Sequence, residues 1–283
     1  MAGRLPEAVR QALLTLYGDT HRFSQPEGGV FYSVYSQDVS YRRKVHDAMG
    51  ELLKPVYDSL FNHYRNLLNS FIVKVPGPKS EFSMHQDSTG LNELEHSPLS
   101  VWIPLQDTTV QNGCMCVVPK THGLFSPYRG ISISAPFARH EALVKKYLVP
   151  VEMKAGDILL FDNRIIHNST ANRSASDRVV VMSGVFPEQA QLISCFKDTA
   201  LRPGDIEVIE QADSFLIEYP KFLNGCFDRP NTGVSRGFVK DVYGPLGEEA
   251  LMMLLEQRGI TPAKVPLFEN TETVCELISE PVS

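Results

Sequence analysis

The 283-residue chain contains no uninterrupted apolar stretch long enough to span a bilayer, which argues against a membrane-embedded protein. It has no basic surplus either: 27 lysines and arginines stand against 33 aspartates and glutamates, a formal net charge of −6, and no dense basic run occurs. A nucleic-acid partner is therefore not expected. The first twenty residues carry Arg4, Glu7 and Arg10 and never build the apolar core of a secretory signal, so no export is expected. Cysteine is scarce and odd in number, with five in all, which does not suit a disulfide framework and fits a reducing cytoplasm. Cys114 and Cys116 would share one face of a strand, but no second pair completes a zinc site, so the cysteines read as small buried apolar residues. Hydrophobic residues at 43% and charged residues at 21% are ordinary for a folded globular chain.

What the sequence does have is a change of pattern along its length. Residues 5–17 and 41–68 read as helical, the second stretch carrying Val45, Met49, Leu52, Leu53, Val56, Leu60, Leu67 and Leu68 at three-to-four spacing, with Pro55 expected to break or kink it. Gly28-Gly29 leads into an aromatic run through Tyr35 that reads as a strand or an ordered loop. From residue 70 onward short β-branched runs take over at 71–75, 81–87, 99–105, 114–119, 158–162 and 178–186. Such runs with turn punctuation predict an all-β sandwich or barrel core, and Asn112-Gly113 predicts a tight turn ahead of the fourth. Residues 138–147 are expected to form an inserted helix and 247–257 a terminal one. The chain is expected to be a single domain over 1–283, a β core at about 70–187 with a helical N-terminal part and a C-terminal extension over the pocket.

Of eight histidines, His21, His46, His63, His96 and His140 lack a spaced partner and read as surface residues. His85-Gln86-Asp87 differs, because ligands at i and i+2 on a strand face the same way and can share one metal. His167, flanked by Ile165-Ile166 and Asn168-Ser169, offers a third ligand. Two histidines and a carboxylate make the facial triad of non-haem Fe(II) oxygenases, with open positions for a bidentate cosubstrate and O₂. Arg178 opens the last strong apolar run, from which an antiparallel strand returns its guanidinium to the pocket to clamp a carboxylate through two hydrogen bonds.

Taken with Trp102-Ile103-Pro104-Leu105, Asn112-Gly113-Cys114, Pro119-Lys120-Thr121-His122, Gly156-Asp157, Asn172-Arg173-Ser174 and Arg178, these motifs resemble the phytanoyl-CoA dioxygenase family of Fe(II)/2-oxoglutarate-dependent oxygenases over roughly residues 70–187. The resemblance implies a mainly β fold with flanking helices, the double-stranded β-helix or cupin-like jelly roll. It implies Fe(II), 2-oxoglutarate as cosubstrate and O₂, with a small molecule as substrate. It makes His85, Asp87 and His167 the metal ligands and catalytic centre, and Arg178, Ser169 and Trp102 the cosubstrate residues. Because Asp87 is kept, halogenation, which uses a small residue there, is not implied.

Gln86, Lys74, Tyr32 and Arg129 are candidate substrate residues, with Arg229 and Lys120 as further cations for an anionic group. Segments 31–35, 74–82, 125–137 and 224–238 are expected to cover the pocket. No basic cluster suited to the phosphates of coenzyme A stands out, so a compact natural-product intermediate is expected over an acyl thioester. An acyl thioester hydroxylase and a non-oxidative cupin-like enzyme using Zn²⁺ or Mn²⁺ remain the alternatives. Oligomeric state is not legible.

Overall fold

The computed structural model describes residues 3–20, 29–219 and 228–263. In chain order the strands and helices are β1 (Gly3–Arg4), α1 (Glu7–Thr20), β2 (Val30–Tyr32), α2 (Val39–Leu60), β3 (Tyr64–Lys74), β4 (Phe82–His85), β5 (Leu99–Pro104), β6 (Met115–Val118), α3 (Glu141–Val144), β7 (Val149–Val151), β8 (Asp157–Asp162), β9 (Ile166–Ser169), β10 (Arg178–Pro187), β11 (Ile193–Phe196), β12 (Asp205–Glu210), α4 (Phe215–Glu218), β13 (Val234–Lys240) and α5 (Glu248–Gln257). A six-stranded sheet, β1-β8-β5-β10-β3-β2, faces a four-stranded sheet, β4-β9-β6-β7, and a three-stranded sheet, β11-β12-β13, follows; all described pairings are antiparallel. This is the expected mainly β architecture with helices outside.

Period-two alternation decides what each sheet face carries. Phe71 and Val73 on β3, Val101 and Ile103 on β5, and Val179 and Val181 on β10 turn outward into a core with Leu13 of α1 and Val45, Met49, Leu53 and Tyr57 of α2. Ser100, Trp102 and Arg178, on the other parity, are left for the interior between the sheets. A second apolar cluster, including Cys114, Cys116, Phe125, Phe137, Leu251 and Leu255, packs α5 against the four-stranded sheet. Cys114, Cys116 and Cys195 are buried and free, as expected of small apolar residues, while Cys226 and Cys275 lie outside the described residues.

The helical pattern was over-extended at its C-terminal end: α2 stops at Leu60, and Leu67 and Leu68 belong to β3, whose pairing with β10 runs the length of both strands. Pro55 does not break α2, since it sits on the solvent side where the freed carbonyl has water to accept from. Asp38 caps the start by accepting from the Tyr41 N–H at 3.1 Å. The helix expected at 138–147 is a single α turn, α3, flanked by 3-10 turns. Asn112-Gly113 does form the turn before β6, a 3-10 turn whose Gly113 takes φ +89°. Beyond Phe186, where the sequence signal fades, the chain builds the third sheet.

His46 is not a simple surface residue. Its Nδ1 accepts the Asn69 backbone N–H at 3.1 Å, and the Asn69 amide also accepts from the Ser183 hydroxyl at 2.6 Å, which in turn accepts from Tyr57 Oη at 2.7 Å. An accepting Nδ1 must be unprotonated, and burial holds the His46 pKa below its ordinary 6.5. The unfolded chain therefore binds a proton that the folded chain resists. Stability is full above about pH 6.5 and declines as pH falls below it, by at most about 1.4 kcal/mol per pH unit. Thermal melts from pH 7.5 to 5.5 should fall more steeply for wild type than for His46→Gln; equal slopes would remove His46 from this role.

Candidate active site

The two histidines meet because β4 and β9 are neighbours in register: His85 lies directly opposite His167. Their ring centroids are 4.2 Å apart. Each ring is oriented by its own strand, His85 Nδ1 lying 2.9 Å from the Ser83 carbonyl and His167 Nδ1 3.0 Å from that of Ile165. Donating Nδ1–H to those carbonyls fixes the tautomer and leaves each Nε2 lone pair free to ligate. Both Nε2 atoms approach Asp87 Oδ1, at 3.6 Å from His85 and 3.8 Å from His167. All three ligand atoms lie within 4.8 Å of one another, the one such cluster of three or more His, Cys, Asp or Glu among the described residues.

Asp87 lies two residues beyond the end of β4, so it is held by contacts other than a strand ladder. Its N–H donates to the Asn163 carbonyl at 3.0 Å, and Ser100 Oγ lies 3.3 Å from Oδ2 while donating to Asn163 Oδ1 at 2.7 Å. Burial alone would raise the Asp87 carboxyl, but His85, His167 and Arg129 outweigh it and hold its pKa at about 2. Burial, followed by the neighbouring His85, pushes His167 down to about 4. At neutral pH the cluster thus offers one carboxylate together with a His167 imidazole kept unprotonated, as a divalent metal requires.

Across the same interior stands Arg178. It is 1% exposed, and its Nε and Nη1 are buried without any hydrogen-bond partner. The guanidinium carbon lies 5.6 Å from the centre of the Trp102 ring. Burial lowers the Arg178 pKa to about 10, still charged at neutral pH. Neither Asp157 nor Asp177 neutralises it. A buried, charged, unpartnered fork is what an incoming carboxylate completes.

These groups line a cavity of about 570 Å³. Tyr32, Tyr35 and Phe82 form one aromatic wall, with Tyr32 4.7 Å from Tyr35 and 5.6 Å from Phe82, ring centre to ring centre. Trp102, Phe161, Ser169 and Gln86 also face it. The Gln86 amide donates to the Arg164 carbonyl and leaves Oε1 buried without a partner. Segments 31–35 and 125–137 contribute lining residues as expected, whereas 74–82 supplies only Phe82. From 224–238 Asp228 and Pro230 line the cavity, and residues 224–227 lie outside the described residues.

One candidate substrate residue is corrected by the structure, and a second stands at the cavity with its charge already paired. Lys74 does not reach the cavity: it is fully buried, and Nζ donates to the carbonyls of Ser169 at 3.1 Å and Thr170 at 2.5 Å. Burial first and the Arg178 charge second push its pKa down to about 6, so it is largely uncharged at neutral pH and joins β3 to the end of β9. Arg129 borders the cavity, but its guanidinium is occupied by Glu93, at 2.6 and 2.7 Å. Arg229 is likewise paired with Glu207, and Lys120 sits in a left-handed turn donating to the Gly259 carbonyl. Sequence reasoning missed Ser100 and Asn163, which hold Asp87, and Glu93, which pairs with Arg129. The one available signal was Ser100, a lone hydroxyl inside an apolar strand.

The model of the family described as Phytanoyl-CoA dioxygenase (PhyH) matches residues 19–180, more than half of the chain and inclusive of Tyr32, the His-Asp-His cluster and Arg178. The Arabidopsis thaliana protein named phytanoyl-CoA dioxygenase is 33% identical over 114 residues, 38% of this chain and 39% of the relative. A Dictyostelium discoideum phytanoyl-CoA dioxygenase domain-containing protein 1 homolog is 28% identical over 151 residues, 50% of this chain and 51% of that one. The chain thus spans about half or less of the length of these curated relatives. Among solved structures, the epimerase SnoN in complex with Fe3+, alpha ketoglutarate and nogalamycin RO is 18% identical, covering 83% of this chain and 89% of its own, with a TM-score of 0.48. On the strength of the family match, the chain belongs to the phytanoyl-CoA dioxygenase family.

Proposed function

We propose that the protein is an Fe(II)/2-oxoglutarate-dependent dioxygenase that hydroxylates a C–H bond of a small organic molecule. The observation that carries this reading is the pairing, across one cavity, of a His-Asp-His cluster with a buried guanidinium whose Nε and Nη1 have no hydrogen-bond partner. A non-oxidative metalloenzyme would need the first and have no use for the second. His85, Asp87 and His167 would hold the iron, Arg178 would receive the distal carboxylate of 2-oxoglutarate, and Trp102 and Ser169 would border it. Iron and 2-oxoglutarate together supply the activation of O₂: one oxygen atom enters the substrate as hydroxyl, the other enters succinate, and CO₂ leaves.

What the chain itself does is position and exclude. Ser83 and Ile165 hold the imidazole tautomers, Asn163 and Ser100 hold Asp87, and Tyr32, Tyr35 and Phe82 would shield the reacting centre on one side with an aromatic wall. Apart from the ligand set and Arg178, the charged lining groups among the described residues are Arg129, already paired, and Asp228 and Asp241, the latter bonded to Lys197 at 2.5 Å. An aromatic and apolar cavity whose described lining residues include no unpaired lysine or arginine beyond Arg178 favours an uncharged, compact substrate, such as a natural-product intermediate, over a coenzyme A thioester.

Anaerobic titration of the apoprotein with Fe(II) and 2-oxoglutarate tests the class. A visible charge-transfer band saturating at one equivalent of each is expected. Tight Zn²⁺ or Mn²⁺ binding with no such band would favour the non-oxidative alternative. For the substrate, succinate release with neutral aromatic or polycyclic compounds is expected to exceed that with acyl thioesters, and the reverse order would restore the thioester reading.

A further inference from the structure

Asp87 is the one ligand that no strand holds in place, and its backbone is fixed on both sides by long-range partners. Asn163 accepts its N–H, and its carbonyl accepts from Arg129 Nε at 2.9 Å. Arg129 is itself immobilised. Its Nη1 and Nη2 form a two-pronged pair with Glu93, its Nη1 also reaches the Ser126 carbonyl at 2.9 Å, and its own N–H donates to Thr89 Oγ1 at 2.8 Å. Thr89 returns a backbone hydrogen bond to the Arg129 carbonyl at 3.1 Å and donates its hydroxyl to the Pro127 carbonyl at 2.8 Å. The Glu93 side chain is 0% exposed and that of Arg129 10%.

A buried ion pair is weak support for stability, because removing two charges from water offsets most of their attraction. Here two of the remaining Arg129 donors, Nε and the backbone N–H, are aimed at the short segment that carries the Asp87 carboxylate, at the Asp87 carbonyl and the Thr89 hydroxyl. We propose that Arg129 and Glu93 form a positioning clamp that sets the Asp87 backbone, and through it the carboxylate, against His85 and His167. The inference rests on the metal-site reading above. Neither residue touches the reacting atoms; they act through Asp87.

The test compares Arg129→Lys with Arg42→Lys. Lysine at 129 keeps a positive charge for Glu93 but has no second donor at the Nε position for the Asp87 carbonyl. Arg42 is the control: it is 2% exposed and donates to the carbonyls of Ile217, Ser36 and Glu218, none of them at the metal site. Fe(II) affinity is measured anaerobically alongside thermal melting. Arg129→Lys is expected to bind Fe(II) roughly 10–100-fold more weakly, as loss of a partner behind a metal ligand does, while Arg42→Lys loses stability at unchanged affinity. Wild-type affinity in Arg129→Lys, or equal weakening in both variants, overturns the clamp. If Arg129→Lys does not fold, Glu93→Gln, which keeps shape and removes the charge bracing Arg129, is judged by the same two measurements. Failure of the wild type itself to bind Fe(II) would instead sink the metal-site reading, and the clamp with it.

Discussion

Arg178→Met is expected to weaken 2-oxoglutarate binding by roughly 10²–10⁴-fold and, in the same protein, to raise the melting temperature of the metal-free, cosubstrate-free form. The first number follows from two charge-assisted hydrogen bonds at about 1.5–3 kcal/mol each, with every 1.4 kcal/mol worth a factor of ten. The second effect follows from the free protein, in which a guanidinium 1% exposed has Nε and Nη1 without partners. Replacing it with an apolar side chain of similar length removes an uncompensated charge from the interior. Melts with and without 2-oxoglutarate, together with titration of the Fe(II) chelate band, read both effects. A variant that keeps wild-type 2-oxoglutarate affinity would falsify the assignment of Arg178. One that loses affinity but melts lower would show that the guanidinium stabilises the empty pocket after all.

Asp87→Ala is expected to abolish iron binding and with it all succinate formation. Losing only an outer partner of a ligand costs about 10–100-fold in metal affinity, so losing one of three ligands, and the only anionic one, should exceed ~10²-fold. The two imidazoles that remain carry no charge to offset that of a divalent ion. Fe(II) should then no longer raise the melting temperature, as a ligand selective for the folded state otherwise does. Stoichiometric Fe(II) binding by this variant would place the metal elsewhere.

The His-Asp-His cluster and the arginine across from it were readable because their signals are local and combine: a His-x-Asp at a strand end, a third histidine after an apolar strand, and an arginine opening the next. The outer β runs were readable for the same reason, being short, β-branched and bounded by turns. The cations were not. Lys74 and Arg129 read in sequence as cations for a substrate, and each is explained only by a partner that folding brings from afar: the carbonyls of Ser169 and Thr170 for Lys74, and Glu93 with the Asp87 carbonyl for Arg129. The boundary between α2 and β3 was missed because Leu67 and Leu68 continue a helical spacing by coincidence, while the β3 ladder to β10, which pairs Leu68 with Gly184 and bulges at Leu67, decides their state. The third sheet was faint because β13 is mostly exposed and so carries little apolar alternation.

β4 is an edge strand whose ladder to β9 consists of two aligned pairs, Phe82 with Ser169 and His85 with His167, with an irregularity between them. The second of those pairs is also the pair of imidazole ligands. An ion bound there would be a cross-strand fastening on a ladder of only two aligned pairs, tying the rim of the cavity to the sheet behind it. The same bonds that prepare the reaction would therefore close a seam. Chelation would be felt mechanically as a loosened lip of the barrel as well as chemically as lost turnover.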